Sequence, residues 1–222
     1  VCQSIEIQNE STEDIKDIII EFSGAFFHET SSNVIGLIKS EKSIRLHGVD
    51  LKPIASKVAS ITERTLVTFT VNVTSNSLSE EKHVLSSKEY EIDIMPYDQW
   101  LGTSIQPQCL ASFVLPNHPA ISSIIVKAAT KLKEISQSSA FTEYQTGNTN
   151  EVRKQVAAIY GALHAENIVY RSMPASYEMV GQRITLPNQV LSSKIGNCIE
   201  LTLLFASVLE SVGINSGIVI QK

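Results

Sequence analysis

The sequence predicts an α+β protein, with a β-sandwich over residues 1–98 followed by a mainly helical unit over residues 99–222. Three observations predict it. Apolar residues recur with period two as far as Met95, the spacing that sends alternate side chains to opposite faces of a sheet. Beyond Trp100 the apolar steps become three and four, as on one face of a helix. Stretches rich in Ser, Asn, Gly and Lys separate the early runs at the spacing of a sandwich.

The clearest strand is Thr65–Val73, where Val67, Phe69, Val71 and Val73 fall on one face and Thr68, Thr70 and Asn72 on the other. Shorter runs of the same kind stand at Ser4–Gln8, Asp17–Phe22, Val34–Ile38, Ser43–Leu46 and Tyr90–Met95. Pro96 has no N–H to give a ladder, so the β region is expected to close there. Trp100, the single tryptophan, is expected to pack at the seam between the two regions.

Behind Pro119, a residue suited to a first helical turn, Ile121, Ile124, Ile125, Ala128, Leu132 and Ile135 form one helical stripe. A second helix is read over 150–165, with Val152, Val156, Ile159, Tyr160 and Leu163 on its apolar side, Asn150 as its cap and Asn167 as its end. After a loop holding Pro174 and Gly181, a short helix is expected near Pro187–Ser193 and a break at Gly196. A long apolar helix to Val212 and a strand at Gly217–Gln221 complete the chain.

Composition narrows the function. The chain has 222 residues, 43% of them hydrophobic, and so can bury a core. A charge of −5, from 18 Lys+Arg against 23 Asp+Glu with no basic run, argues against direct nucleic-acid binding. No apolar run reaches the roughly 18–20 residues of a membrane span. Cys2, Cys109 and Cys198 are odd in number and far apart, which suits reduced thiols in the cytoplasm; no metal and no cofactor is expected. Val1 reads as the cut or processed end of a longer chain.

The segment with chemistry in it is Leu186-Pro187-Asn188-Gln189-Val190-Leu191-Ser192-Ser193-Lys194-Ile195-Gly196-Asn197-Cys198-Ile199-Glu200-Leu201. Gly196 allows a tight turn, and Cys198 then sits in the first turn of a helix. Unpaired N–H groups and the positive dipole end favour a thiolate there and can stabilise an oxyanion on an acyl group under attack. The helix behind is apolar around most of its circumference, as a rigid element bearing a site should be. Asn197 and Gln182 are candidate substrate-binding residues. Glu200 is read as structural, a carboxylate favoured near a helix N-terminus.

Gly196-Asn197-Cys198, followed by an acidic residue, a Leu/Ala run and Gly213-Ile214, resembles the nucleophile motif of the transglutaminase-like, papain-type cysteine superfamily. The resemblance implies that Cys198 is the nucleophile, with a histidine on the following strand as base and an Asp or Asn on the next strand orienting it. All five histidines, His28, His47, His83, His118 and His164, precede Cys198, the reverse of the family order. The chain is therefore expected to be inactive by itself, a truncated half-domain whose terminal strand is an open edge available for pairing in a crystal.

Further features, Pro96–Trp100, Pro116-Asn117-His118-Pro119, Tyr144–Gly147, Ala158-Ile159-Tyr160 and Pro174-Ala175-Ser176, are similar to the N-terminal region of a family of very large bacterial proteins. In these an immunoglobulin-like β-sandwich and a transglutaminase-like domain precede a superfamily 1 helicase. The resemblance implies downstream domains of the same parent as partners and a protein or peptide as substrate. A non-catalytic protein- or peptide-binding role is the rival expectation.

Overall fold

The computed structural model describes residues 2–28, 33–49, 52–76, 82–136, 138–142, 145, 147–172 and 181–220. The sequence features at Tyr144, at Pro174-Ala175-Ser176 and at Gln221-Lys222 lie outside these residues. Contacts divide the chain into two compact units, Val1–Tyr97 and Asp98–Lys222.

In the first unit, strands β1 (Cys2–Gln8) and β4 (Ser43–Val49) pair antiparallel with Ile5 opposite Leu46 and Ile7 opposite Ile44. A four-stranded antiparallel sheet runs in the order β3 (Asn33–Ile38), β2 (Ile15–Ser23), β5 (Thr65–Asn76), β6 (Lys82–Ile94). Its buried cluster includes Ile18, Ile20, Phe22, Val67, Phe69 and Val71, and Ile5, Ile7, Ile44 and Leu46 of the other sheet pack against it. Each fully buried side chain of this size contributes about 1.5–3 kcal/mol.

The alternation read for β5 holds through Val71 and then shifts. A register irregularity at Val73/Thr74 buries Thr74, whose hydroxyl donates to the Ile19 carbonyl at 3.4 Å. A bulge depends on the partner strand, so period counting along one strand misses it. A short helix, α1 (Ala55–Ala59), was likewise invisible, having no buried residue to impose a period.

The second unit opens with the two-residue strand β7 (Gln99–Trp100) and a 3-10 helix over Pro107–Phe113. Helix α2 (Pro119–Ser136) buries Ile121, Ile124, Ala128 and Leu132, while Ile135 at the end of the expected stripe is half exposed. Helix α3 (Thr149–His164) is capped by Asn148, whose side chain accepts from the N–H groups of Asn150 and Glu151, so the cap lies two residues before the expected Asn150. Asn167 adopts a positive φ just past the end of the helix.

The buried stripe of α3 is Gln155, Ala158, Ile159 and Ala162; Tyr160, expected inside, is exposed. Small residues on this stripe allow close approach to α2, and the bulky ring is left outside. Next come β8 (Val169–Tyr170), β9 (Gln182–Arg183), α4 (Pro187–Ser193), β10 (Ile195–Gly196) and α5 (Cys198–Ser211). Helix α4 has its expected bounds, but the residue that breaks it is Lys194 in the left-handed region at φ 57°, ahead of Gly196.

Helix α5 serves two clusters. Leu204 and Val208 join Ile121, Ile124, Ile159 and Val190, whereas Leu203 joins Trp100, Leu110 and Ile184. Trp100 is thus sealed in a core built from residues of the second unit. Buried Glu166 binds Lys127 of α2 and Lys194 after α4, tying three segments; the hydrogen bonds from the two ammonium groups hold its carboxyl below the usual carboxylate range. Residues 214–220 carry no strand pairing, so the expected strand at Gly217–Gln221 does not form among the described residues. A ladder needs a partner backbone, and none of the described residues supplies one.

Candidate functional site

Cys198 is the first residue of α5 and is exposed, at the head of a helix whose body is buried. The cap in front of it is locked from both sides. Asn197 Oδ1 accepts from the Glu200 N–H at 3.0 Å, and Glu200 Oε2 accepts from the Asn197 N–H at 2.9 Å. Glu200 is 1% exposed, and its other oxygen accepts from the Thr185 N–H at 3.0 Å and lies 3.5 Å from the Arg171 guanidinium. One carboxylate thus fixes the helix start, the segment leading into α4 and the residue after β8.

Two short strand pairs complete the frame. Strand β8 pairs in parallel with β10, Tyr170 opposite Gly196, through Val169 N–H to Lys194 O and Arg171 N–H to Gly196 O, both 2.8 Å. Strand β7 pairs antiparallel with β9, Gln99 opposite Arg183 and Trp100 opposite Gln182. Arg183 donates to Asp98 Oδ2 at 2.6 Å. Gly181, at φ 75°, lets the chain pass against the Trp100 carbonyl, which a Cβ would meet at 2.2 Å.

The sequence candidates fall as follows. Cys198 and Asn197 adjoin at the helix head; the amide nitrogen of Asn197, 2% exposed, has no hydrogen-bond partner among the described residues. Gln182 is 5% exposed in β9, and its amide nitrogen is likewise without a partner among the described residues, as is the Trp100 indole N–H beside it in the strand pair. A buried donor left unpaired is costly, so each calls for an acceptor. A pocket of about 230 Å³ adjoins the sulfur, lined by Leu110, Ile199, Thr202, Leu203 and Ile218 among others.

No histidine lines that pocket. In this unit His118 Nδ1 accepts from the Ala120 N–H at the start of α2, and His164 lies against Tyr160 on α3. Among the described residues no cluster of His, Cys, Asp and Glu could hold a metal ion, and no helix is long and apolar enough to cross a membrane.

One residue near the site escaped the sequence reading. Tyr170 stands opposite Gly196 in the β8–β10 pair, and its phenol is held above its ordinary value, chiefly by the negative charge of the nearby Cys198 sulfur. The only signal for Tyr170 was the Ile168-Val169-Tyr170 triplet, β-forming but too short to show a period.

Residues 139–222 match the family model of the transglutaminase-like superfamily. The match takes in everything from just after α2 to the last residue, including the cysteine helix, so the second unit carries a transglutaminase-like domain. No curated protein and no solved structure gives a significant match.

Proposed function

We propose that the second unit is a thiol acyl-chemistry module in which Cys198 attacks an amide or ester carbonyl. The observation that carries this reading is an exposed sulfur at the first position of α5, on a helix otherwise anchored in two cores. The amide nitrogen of Asn197, next to the cysteine and without a hydrogen-bond partner among the described residues, supports it as a donor suited to an acyl oxygen. In the step proposed, the Cys198 sulfur bonds to the carbonyl carbon and the amine or alcohol leaves with a proton. The resulting thioester is opened by water or a second amine, which returns the thiol.

With His118 and His164 both engaged elsewhere, the reading limits this chain to slow, stoichiometric acylation unless an imidazole is added. An activated ester such as p-nitrophenyl acetate tests it by intact mass and peptide mapping. One acyl group on Cys198, absent in Cys198→Ala and discharged faster with added imidazole, is the expected result. Acylation spread equally over Cys109 and Cys198 contradicts it.

A second reading, a protein- or peptide-binding module, is favoured by the first unit's sheet edge. Strand β6 runs 13 residues, pairs only with β5 among the described residues, and exposes Val84, Leu85 and Tyr90. Such an edge is a template for an added strand. The wider assignment, an immunoglobulin-like sandwich in a helicase-containing bacterial parent in the cytoplasm, rests on the sequence resemblance alone.

A further inference from the structure

We propose that the acyl donor of the Cys198 site carries an uncharged aliphatic group of about four to eight carbons, seated in the pocket that the sulfur lines. The proposal rests on the acyl-chemistry reading of that site and adds the class of substrate, which neither the nucleophile motif nor the family match specifies.

The pocket is built from three segments of the second unit. Helix α5 supplies Cys198, Ile199, Thr202 and Leu203, which share one side of its first two turns. The 3-10 helix supplies Leu110, and residues 218–220 complete the described lining. Leu110 and Leu203 are buried members of the Trp100 cluster, with Ile199 and Ile218 packed on it, so these walls belong to a fixed core. Cys198 and Thr202 are exposed, which puts the sulfur at the open side. An acyl group bonded to that sulfur has its carbonyl at the entrance and its chain directed at the apolar walls. Directly before the sulfur, the buried Asn197 amide nitrogen has no partner among the described residues and is a donor for the carbonyl oxygen of the same molecule.

The lining selects the chain. No described lining residue is charged, and its one side-chain hydroxyl, that of Thr202, is spent on the Cys198 carbonyl at 2.7 Å. Glu200, two positions beyond the sulfur, is committed to the capping box, the Thr185 N–H and Arg171. A charged or strongly polar chain would give up its water here without a partner, whereas methylenes gain by leaving water. Size follows from volume. An apolar cavity of about 150 Å³ holds a benzene molecule, and this pocket, at about 230 Å³, is half as large again.

The test uses the whole chain and two reagent series, read at each cysteine by peptide mapping. Alkyl methanethiosulfonates from methyl to octyl probe the pocket without acyl chemistry: the Cys198 thiolate attacks the sulfenyl sulfur, a disulfide forms and methanesulfinate leaves. The anionic sulfonatoethyl reagent is the charged comparison. p-Nitrophenyl esters from acetate to octanoate, with the N-acetyl-leucine ester beside them, probe acylation, in which the sulfur bonds to the carbonyl carbon and p-nitrophenolate leaves. Rates at Cys198 are divided by those at Cys109, which is exposed and does not line this pocket.

The expected ratio rises about twofold per methylene in this partly open pocket, reaches about tenfold or more by hexyl, and levels off near octyl. The sulfonatoethyl ratio should not exceed the methyl one. Thr202→Phe, at an exposed helix position, and Ile220→Asp, which adds a carboxylate to the lining, should each cut the hexyl-to-methyl gain to about threefold or less. Both the hexanoate and the leucine ester should outrun acetate, and the faster of the two tells a linear acyl chain from the aliphatic side chain of a peptide. A ratio independent of chain length overturns the proposal; if Cys198 is then still acylated in preference to Cys109, the acyl-chemistry reading survives without this substrate class. A thiosulfonate ratio that climbs while no ester acylates Cys198 preferentially upholds the aliphatic pocket and defeats the acyl-chemistry reading.

Discussion

Replacing Glu200 with alanine is expected to cost about 3–5 kcal/mol of unfolding free energy, as breaking a buried charged network does. The loss follows from what the carboxylate holds. The Asn197 and Thr185 N–H groups donate to it from buried or partly buried positions, and each is left without an acceptor when it goes. Half of the capping box disappears with it, and Arg171 loses its counter-charge. Glutamine is the informative second variant, since it keeps the shape but turns an NH2 group toward one of the two donors. Its cost should fall between wild type and alanine. Thermal unfolding checks both, with a drop on the order of 10 °C for alanine in a unit of this size; a drop of one or two degrees would show that Glu200 does not organise the helix start.

Gly181→Ala should be comparably damaging, at about 2–5 kcal/mol. Its φ of 75° disfavours any side chain, and the added Cβ would lie 2.2 Å from the Trp100 carbonyl and 3.0 Å from the Leu101 Cα. Backbone, unlike a flexible side-chain tip, cannot swing away. The pairing of β7 with β9 should therefore open, and the single tryptophan, 1% exposed in the native unit, reports it by a red-shifted emission. Gly147→Ala is the control, with a similar φ of 70° but no described residue within 4 Å of the new Cβ. It should cost no more than about 1–2 kcal/mol and leave the emission unchanged.

These two positions also mark where the sequence was legible and where it was not. Local, periodic information came through. The alternation of Val67, Phe69 and Val71, the stripe of α2, the bounds of α4 and the cysteine at the head of an apolar helix are each imposed by neighbours within a few residues. Pairings between distant short segments did not. Strands β7 and β9 are two residues each and lie about eighty residues apart in sequence, so neither leaves a period to count, and the burial of Trp100 with Leu110, Ile184 and Leu203 leaves no local signal.

The place of Tyr170 is hidden for the same reason, since it depends on a two-residue parallel pairing with Gly196. Where several good caps stand together, as in Asn148-Thr149-Asn150, propensity does not choose among them; the first takes the position because its side chain reaches two free N–H groups. Glu200 was read as a charge favoured by the helix dipole, and burial raises it to the hub of the site, a distinction that only packing reveals.

The most direct measurement uses Cys109, the other exposed thiol among the described residues, as reference. Cys109 sits in the 3-10 helix with its sulfur 3.2 Å from Gln106 Oε1, while Cys198 heads a fourteen-residue α-helix. Iodoacetamide at limiting concentration and neutral pH, resolved by peptide mapping, should label Cys198 about tenfold or more faster than Cys109. Equal rates at the two sulfurs in the folded protein would contradict the account, because the head of the helix would then give its cysteine no advantage as a nucleophile.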